Sequence, residues 1–257
     1  MGKASLLSDI HGNCCLNVNF SNVNGEATLD EYSLNQAFKA LERSDEANII
    51  ILHGNDKDFC NGLDINFLVK QEKWPTSANS LLNNFSDLLI TIDKKPQLVI
   101  AMVKGAAMGG GLGIAAVADF VLASPSAVFA LPETMVGLIP AVVFPYVMRR
   151  TGLMKAKLLA LGIQIFDAQR AYDCGLADEV AEDEQARLRY LVKRFGRMDS
   201  EATKSMKRLI RRHFPLPENY LDYAKDAFQA LYNSESTRKR LSLFCQGYSP
   251  WMNDGDE

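Results

Sequence analysis

A glycine-rich turn between an apolar strand and a small-residue helix constrains this chain more than any other feature. The predicted strand ends at Val103, glycines follow at Gly105 and Gly109–Gly111, and the run closes on Asp119. Glycine has no side chain and can adopt positive φ, so the backbone here can approach a ligand closely. The first N–H groups of the following helix have no partner within the helix. The segment therefore indicates a site for an anion or an oxyanion.

Glycine-rich turns also bind nucleotides, and three consecutive glycines alone do not separate a functional turn from a packing turn. A phosphate-binding loop needs Lys-Ser or Lys-Thr after its last glycine, and a dinucleotide fingerprint needs GxGxxG followed by an acidic residue. Neither pattern fits residues 105–113 well. The sequence favours an oxyanion site over a nucleotide site.

Strand and helix patterns alternate through the first part of the chain. Apolar or alternating runs predict strands at 15–20, 47–53, 98–103 and 120–123, and helical spacing predicts helices at 33–43 and 78–92. This alternation indicates an α/β core with parallel pairing. Helical patterns dominate later, at 188–195, 202–214 and 220–232, so we predict a core over residues 1–195 and a helical region over 196–257.

Composition narrows the class of protein. The 257 residues are 47% apolar, which is enough for one large core. The net charge of −3 differs from the basic charge expected of a protein that binds nucleic acid. The first residues show no long apolar core followed by a small-residue cleavage site, so we do not expect secretion, and the apolar stretch 112–123 is too short to span a membrane. The five cysteines form no metal-binding spacing, and their odd number suits reduced thiols. We expect a cytoplasmic protein without a metal site, nucleic-acid partner or membrane association.

A second glycine turn, at residues 55–64, directly follows the predicted strand that ends at His53. If the backbone N–H groups of Leu63 and Gly110 point to one place, they form a two-donor oxyanion hole. Such a hole stabilises the enolate that forms from a thioester carbonyl.

Four motifs in a fixed order, between about residues 48 and 179, resemble the crotonase superfamily, also called the enoyl-CoA hydratase/isomerase family. They are Phe59–Asp64, Gly105–Asp119, Phe129–Glu133 with Gly137–Pro140, and Ala171–Val180.

The resemblance implies a fold, a site and an assembly. The fold would be an α/β spiral of ββα units with a helical C-terminal region that packs in a trimer or hexamer. The oxyanion donors would be the N–H groups of Leu63 and Gly110, and the catalytic carboxyl would be Glu133. The glycines of the same motifs are assigned to substrate binding; they are Gly62, Gly109 and Gly137.

One position departs from the family's pattern. Hydratases of this family have a second glutamate where this chain has Gly113, so the partner of Glu133 is open. Asp64 is a candidate second carboxylate, although it could equally cap a helix starting at Ile65. A tyrosine from elsewhere is another candidate. Glu133 itself could merely place charge at a helix start, but the two glycine turns favour catalysis.

Within the family, residues 59–64 and 131–146 look like dehydratases of polyketide β-branching cassettes. The resemblance implies dehydration of 3-hydroxy-3-methylglutaryl on an acyl carrier protein, with no cofactor beyond the phosphopantetheine or coenzyme A that carries the acyl group. The alternatives are an enoyl-thioester isomerase, a coenzyme A-linked hydratase and a catalytically silent assembly subunit.

Other chemically active residues favour structural interpretations. The three histidines lie in no nucleophile motif, and Cys60 resembles a small buried apolar residue. Helix 202–214 has an apolar face and a basic face, and we expect solvent on the basic face, with docking of an acidic carrier protein or ligand phosphates as the alternative. The basic residues are Lys204, Lys207, Arg208, Arg211 and Arg212.

Overall fold

Short strands form two sheets in the computed structural model, which describes residues 7–69, 76–162, 164–216 and 219–249. The strands are β1 (Leu7–Ile10), β2 (Asn13–Asn19), β3 (Ile49–His53), β4 (Leu98–Val103), β5 (Ala106–Met108), β6 (Phe120–Ala123), β7 (Val128–Ala130), β8 (Phe166–Asp167) and β9 (Glu179–Val180).

The helices lie between these strands and dominate the second half of the chain. They are α1 (Glu31–Glu42), α2 (Ile65–Val69), α3 (Thr76–Lys94), α4 (Gly110–Val117), α5 (Phe144–Thr151), α6 (Leu153–Leu161), α7 (Ala168–Asp173), α8 (Glu184–Phe195), α9 (Ser200–His213), α10 (Tyr220–Tyr232) and α11 (Glu235–Cys245). Two 3₁₀ turns cover Ser44–Glu46 and Glu133–Val136. No helix in the described ranges is both long and apolar enough to cross a lipid bilayer.

The larger sheet has the strand order β1-β2-β3-β4-β6-β9. The pair β1–β2 is antiparallel and every other neighbouring pair is parallel, for example with Cys15 opposite Ile49. The smaller sheet has the order β5-β7-β8. The predicted α/β class and its parallel pairing are confirmed, and the four predicted strands correspond to β2, β3, β4 and β6.

Strand β3 shows why the core forms on both faces of the larger sheet. Successive side chains of a strand point to opposite faces, and here both faces are covered. Ile50 and Leu52 join the main core with α1, α3 and α4, whereas Ile49 and Ile51 pack in a second cluster with Leu188 and other residues of α8. The continuous apolar run of β3 therefore reflects burial on two sides.

Helix α4 is buried along its whole length and needs its small residues. A Cβ placed on Gly111 would lie 2.7 Å from the carbonyl carbon of Cys60, and one on Gly113 would lie 2.6 Å from Cβ of Val143. Both contacts are closer than real side chains allow. The glycines therefore let α4 pack directly against its neighbours, and they place its N-terminus beside the turn at residues 55–64.

Helix α9 turns part of its predicted basic face towards the core, while Arg208 and Arg212 are exposed as predicted. Lys207 is buried, donates to the carbonyl of Gln97 at 2.8 Å and pairs with Asp119. Arg211 donates to the carbonyl of Asp93 at 2.7 Å. The expected solvated basic face is therefore wrong for Lys207 and Arg211, because buried carbonyls and carboxylates need partners. The apolar side chains of α9 and its end are exposed instead: Met206, Leu209, Ile210 and Phe214.

Candidate active site

The two glycine turns meet at the start of α4. The turn at residues 55–64 joins β5 through a parallel bridge between Cys60 and Ala107. Gly62 has a φ of 81°, and a Cβ placed on it would lie 2.9 Å from the carbonyl oxygen of Met108 and 3.1 Å from the backbone nitrogen of Gly110. The two turns are therefore in direct contact, as the oxyanion interpretation requires.

The backbone around Leu63 leaves its N–H available. The N–H of Leu29 donates to the carbonyl of Gly62 at 2.8 Å, and the carbonyl of Leu29 accepts from the N–H of Asp64 at 3.1 Å. This parallel bridge does not use the N–H of Leu63. Gly110 is the first residue of α4, so its N–H has no acceptor within the helix. Among the described residues neither N–H has an acceptor. Leu63 and Gly110 line the same cavity.

Glu133 lies directly beside this pair of donors. It begins the 3₁₀ turn that follows Pro132. A Cβ placed on Gly109 would lie 2.9 Å from Oε1 of Glu133, so the carboxyl group packs against the residue that precedes Gly110. The other oxygen, Oε2, is buried and has no hydrogen-bond partner in the described part of the chain. The structure thus brings Leu63, Gly110 and Glu133 to one cavity.

Burial changes the acidity of this carboxyl group. The loss of hydration raises the pKa of Glu133 to about 7, against a smaller lowering by its own backbone N–H. Of the described residues that line the cavity, Asn61 and Glu133 alone carry an amide or a charge. A carboxyl group that is half protonated at neutral pH can both accept and donate a proton. The apolar side chains that line the cavity include Leu82, Phe85, Val136, Leu138, Val142, Val143, Phe228 and Phe244.

This raised pKa predicts an effect of pH on stability. Since the pKa of Glu133 rises from 4.5 to about 7 on folding, its favourable contribution is present below pH 4.5 and is lost as the pH rises through 7. Relative to Glu133→Gln, which does not titrate, the free energy of unfolding should fall by up to about 3 kcal/mol between pH 4.5 and pH 8. Urea unfolding of both proteins across this range measures it. Parallel curves would contradict the raised pKa.

The position that carries a second glutamate in hydratases of the family is occupied differently here. Gly113 faces Val143, whose side chain fills the space next to the Gly113 Cα and also lines the cavity. A second carboxyl group therefore has neither a residue to carry it nor room to occupy at this point.

The Gly113–Val143 contact predicts an epistatic effect on stability. Gly113→Ala should destabilise the protein by about 1–3 kcal/mol, because its Cβ overlaps the side chain of Val143. Val143→Ala should be destabilising alone through loss of packing, yet the double variant should be more stable than the sum of the single effects predicts. Chemical unfolding of the four proteins measures this coupling, and additive effects would contradict the contact.

Two of the predicted site residues are not among those that line this cavity. Asp64 lines a separate cavity together with Asp30 and Asn84, so the structure does not bring it to Glu133. Gly137, assigned to substrate binding, ends the 3₁₀ turn with a φ of 84° and contacts Thr237 of α11. No tyrosine is among the described residues that line the Glu133 cavity. Gly62 and Gly109 do line it.

The histidines and cysteines contribute no chemistry to this cavity. None of them is among its described lining residues. Burial raises the pKa of the Cys60 thiol to about 12, so it is a neutral group in the core. The described ranges contain no group of three or more His, Cys, Asp or Glu side chains arranged so that they could hold a metal ion.

Sequence reasoning missed several lining residues, among them Asn61, Phe228 and Phe244. Asn61 lies within the quoted turn, but its side chain was not considered. Phe228 of α10 lies in the predicted helix 220–232, whereas Phe244 lies in α11, which was not among the predicted helices. A helical pattern shows which face is apolar but not which cavity that face meets, so the sequence carries no direct indication of these two aromatic residues.

Two N–H groups without an acceptor line one cavity together with a buried carboxyl group, and such a site can stabilise negative charge on a bound oxygen atom. Comparison with known families agrees with this chemistry. Residues 21–252 match the model of the enoyl-CoA hydratase/isomerase family. The chain therefore belongs to this family, and the predicted relationship to crotonase-type enzymes is confirmed.

Individual relatives give more detail. Enoyl-CoA hydratase ACTT6 of Alternaria alternata is 31% identical over 153 residues, which are 60% of this chain and 50% of that protein. The match thus spans about half the length of that relative. Bacillaene synthase dehydratase PksH of Bacillus subtilis is 26% identical over 186 residues, which are 72% of either chain. An enoyl-CoA hydratase structure from Bacillus halodurans has a TM-score of 0.83 at 20% identity, with coverage of 93% of this chain and 99% of that one. At that identity the likeness supports the crotonase fold alone.

Proposed function

We propose that the protein removes water from a 3-hydroxyacyl thioester. The observation that carries this proposal is the position of Glu133: its buried carboxyl group packs on Gly109, next to the unpaired N–H of Gly110. Family membership supports thioester chemistry. The dehydratase name of the PksH relative supports elimination of water over its addition.

The geometry supports a mechanism with one carboxyl group. The thioester oxygen accepts hydrogen bonds from Leu63 and Gly110, which lowers the pKa of the α-carbon proton. The ionised carboxylate of Glu133 takes that proton and an enolate forms. The enolate electrons then form the double bond between the α- and β-carbons, while the bond from the β-carbon to its hydroxyl breaks. Glu133 returns its proton to the departing hydroxyl, so water leaves and the carboxylate is restored.

We further propose that the acyl group is 3-hydroxy-3-methylglutaryl, carried by the phosphopantetheine of an acyl carrier protein, and that no other cofactor takes part. The support is the name of the PksH relative and the likeness of residues 131–146 to polyketide dehydratases. Coenzyme A is the alternative carrier. A comparison of kcat/KM for the same acyl group on both carriers tests this choice, and a preference for coenzyme A would reject the carrier protein.

A double-bond isomerase is the second candidate, and the Gly113–Val143 contact favours it. Isomerisation needs one carboxyl group to move a proton between two carbons, and it needs no site for water. Separate incubation with a 3-hydroxyacyl thioester and an enoyl thioester distinguishes the two reactions by mass spectrometry. Loss of one water from the first supports dehydration, whereas a new product from the second that separates from its substrate by chromatography but has the same mass supports isomerisation. No change in either would favour a silent assembly subunit.

We propose that residues 196–257 contribute to a homo-oligomer, a trimer or a hexamer. The support is α9, whose apolar side chains Met206, Leu209 and Ile210 are 54%, 51% and 42% exposed in the single chain. Exposed apolar clusters of this kind are characteristic of interfaces. Light scattering after gel filtration should give three or six copies for the wild type and fewer for Met206→Glu with Leu209→Glu. A monomeric wild type would reject the proposal.

A further inference from the structure

The 3₁₀ turn that carries Glu133 is too short to fix its own orientation. It ends at Gly137, whose N–H donates to the carbonyl of Thr134 at 3.3 Å, and the N–H of Leu138 donates to the carbonyl of Glu133 at 2.9 Å. Such a turn makes few internal hydrogen bonds, and their geometry is poorer than in an α-helix. The position of the Glu133 carboxyl group therefore depends on what holds the turn from outside.

Helix α11 of the same chain holds one end of this turn. The hydroxyl of Thr237 donates to the carbonyl of Gly137 at 3.0 Å, and Thr237 is only 2% exposed. A Cβ on Gly137 would lie 2.6 Å from Oγ1 of Thr237, so the two backbones approach as closely as glycine permits. The opposite side of the turn is attached to α6, because the hydroxyl of Thr134 donates to the carbonyl of Ala160 at 3.2 Å.

The direction of the Thr237 hydroxyl is itself determined. Ser234 caps α11, and its hydroxyl accepts from the N–H of Thr237 at 3.2 Å while donating to Oγ1 of Thr237 at 2.9 Å. Since Oγ1 already accepts one proton there, its own proton is directed to the carbonyl of Gly137. Phe244, further along the same helix, lines the Glu133 cavity. Helix α11 thus contacts the end of the turn that carries Glu133 and also lines the Glu133 cavity.

We propose that Thr237 is a positioning residue that holds the carboxyl group of Glu133 against Gly109. The inference rests on the proposed role of Glu133 and adds that α11 of the same chain sets its position. Displacement of a reacting group by about 1 Å can cost on the order of a hundredfold in rate. Loss of one of several attachments should therefore have a smaller but measurable effect.

Thr237→Val removes the hydroxyl and keeps the volume, whereas Thr237→Ser keeps the hydroxyl. We expect kcat for the valine variant to fall about tenfold or more with little change in KM, and kcat for the serine variant to stay within about threefold of wild type. Thr203→Val is the matched control, because Thr203 also bonds a carbonyl, that of Asp199 at 2.8 Å, near the start of α9. It should keep wild-type kcat.

A second measurement needs no substrate. A ¹³C NMR titration reports the pKa of the Glu133 carboxyl group, assigned by the signal missing from Glu133→Gln. This pKa of about 7 should move towards the ordinary value of 4.5 in Thr237→Val and stay in Thr237→Ser. If the valine variant does not fold, Thr237→Ala replaces it. An unchanged pKa and kcat in the valine variant, or a serine variant as impaired as valine, would overturn the inference. A wild type without dehydratase turnover would reject the proposed function, while the titration would still decide the role of Thr237.

Discussion

Glu133→Gln should lower kcat for dehydration by about a thousandfold, which is the typical value of a general acid–base group. Glutamine has nearly the same size and shape as glutamate, so it fills the same space beside Gly109. Its amide cannot take the α-carbon proton and cannot return a proton to the leaving hydroxyl. Binding of the thioester should change little, because the N–H groups of Leu63 and Gly110 remain. Steady-state kinetics with the 3-hydroxyacyl thioester measures both parameters.

The same variant separates catalysis from folding. Removal of a carboxyl group that is costly to ionise in an apolar cavity should leave the protein at least as stable as wild type at pH 8. A loss of activity together with retained stability therefore points to chemistry. Glu182→Gln, at an exposed position, is the control and should behave as wild type in both respects. Wild-type turnover by Glu133→Gln would remove Glu133 from the mechanism.

The dependence of kcat/KM on pH offers a check on the direction of proton transfer. If Glu133 acts first as a base, kcat/KM should rise with pH and level off above about 7, because the free enzyme must have the ionised carboxylate. The residual kcat/KM of Glu133→Gln should not show this rise with pH. A profile that falls through pH 7 would mean that the protonated carboxyl group starts the reaction.

The residues of the site that could be predicted from the sequence share a property. The roles proposed for Leu63 and Gly110 depend on backbone N–H groups, whose conformation is set by neighbouring glycines that are visible in the sequence. Glu133 stands in a short motif after Pro132, so the local sequence was again enough to indicate it. Such features depend on a few adjacent residues, and the structure brings them together as expected.

What could not be predicted depends on contacts between distant segments. Val143 closes the space next to Gly113, and Thr237 reaches Gly137 from a hundred positions away. The orientation of α9 could not be obtained from its own pattern either. Its spacing shows one apolar and one basic face, but Asp119 and the carbonyls near the start of β4 decide that the basic residue Lys207 points inwards.

The strands likewise divide into those that the sequence pattern could locate and those that it could not. Strands β2, β3, β4 and β6 are long or strongly apolar, and the sequence pattern located them. Strands β5 and β7 have three residues each and β8 and β9 have two, which is too short for an alternation to be recognised. These short strands are defined by their hydrogen bonds to neighbouring strands. Their positions are therefore a property of the assembled chain.

Gly110→Pro should reduce kcat/KM by on the order of a hundred- to a thousandfold relative to Gly110→Ala, because it removes one of the two oxyanion donors. Gly110 is the first residue of α4, where proline is well tolerated since the N–H makes no helical hydrogen bond. Both variants add a Cβ at 3.0 Å from Cδ1 of Leu29 and 3.1 Å from Cζ of Phe85, and these are side-chain ends that can move. The comparison between the variants thus tests the loss of the N–H donor together with the ring carbon that replaces its proton.

The effect should appear mainly in kcat. A hydrogen bond that strengthens as the carbonyl becomes an enolate stabilises the transition state more than the bound substrate. We therefore expect KM values of the two variants within about threefold of each other. Thermal unfolding should give similar midpoints for both, which would show that α4 still begins at the same place. Equal kcat/KM for proline and alanine would mean that the Gly110 N–H does not contact the reacting oxygen, and Leu63 alone could not then sustain the proposed enolate.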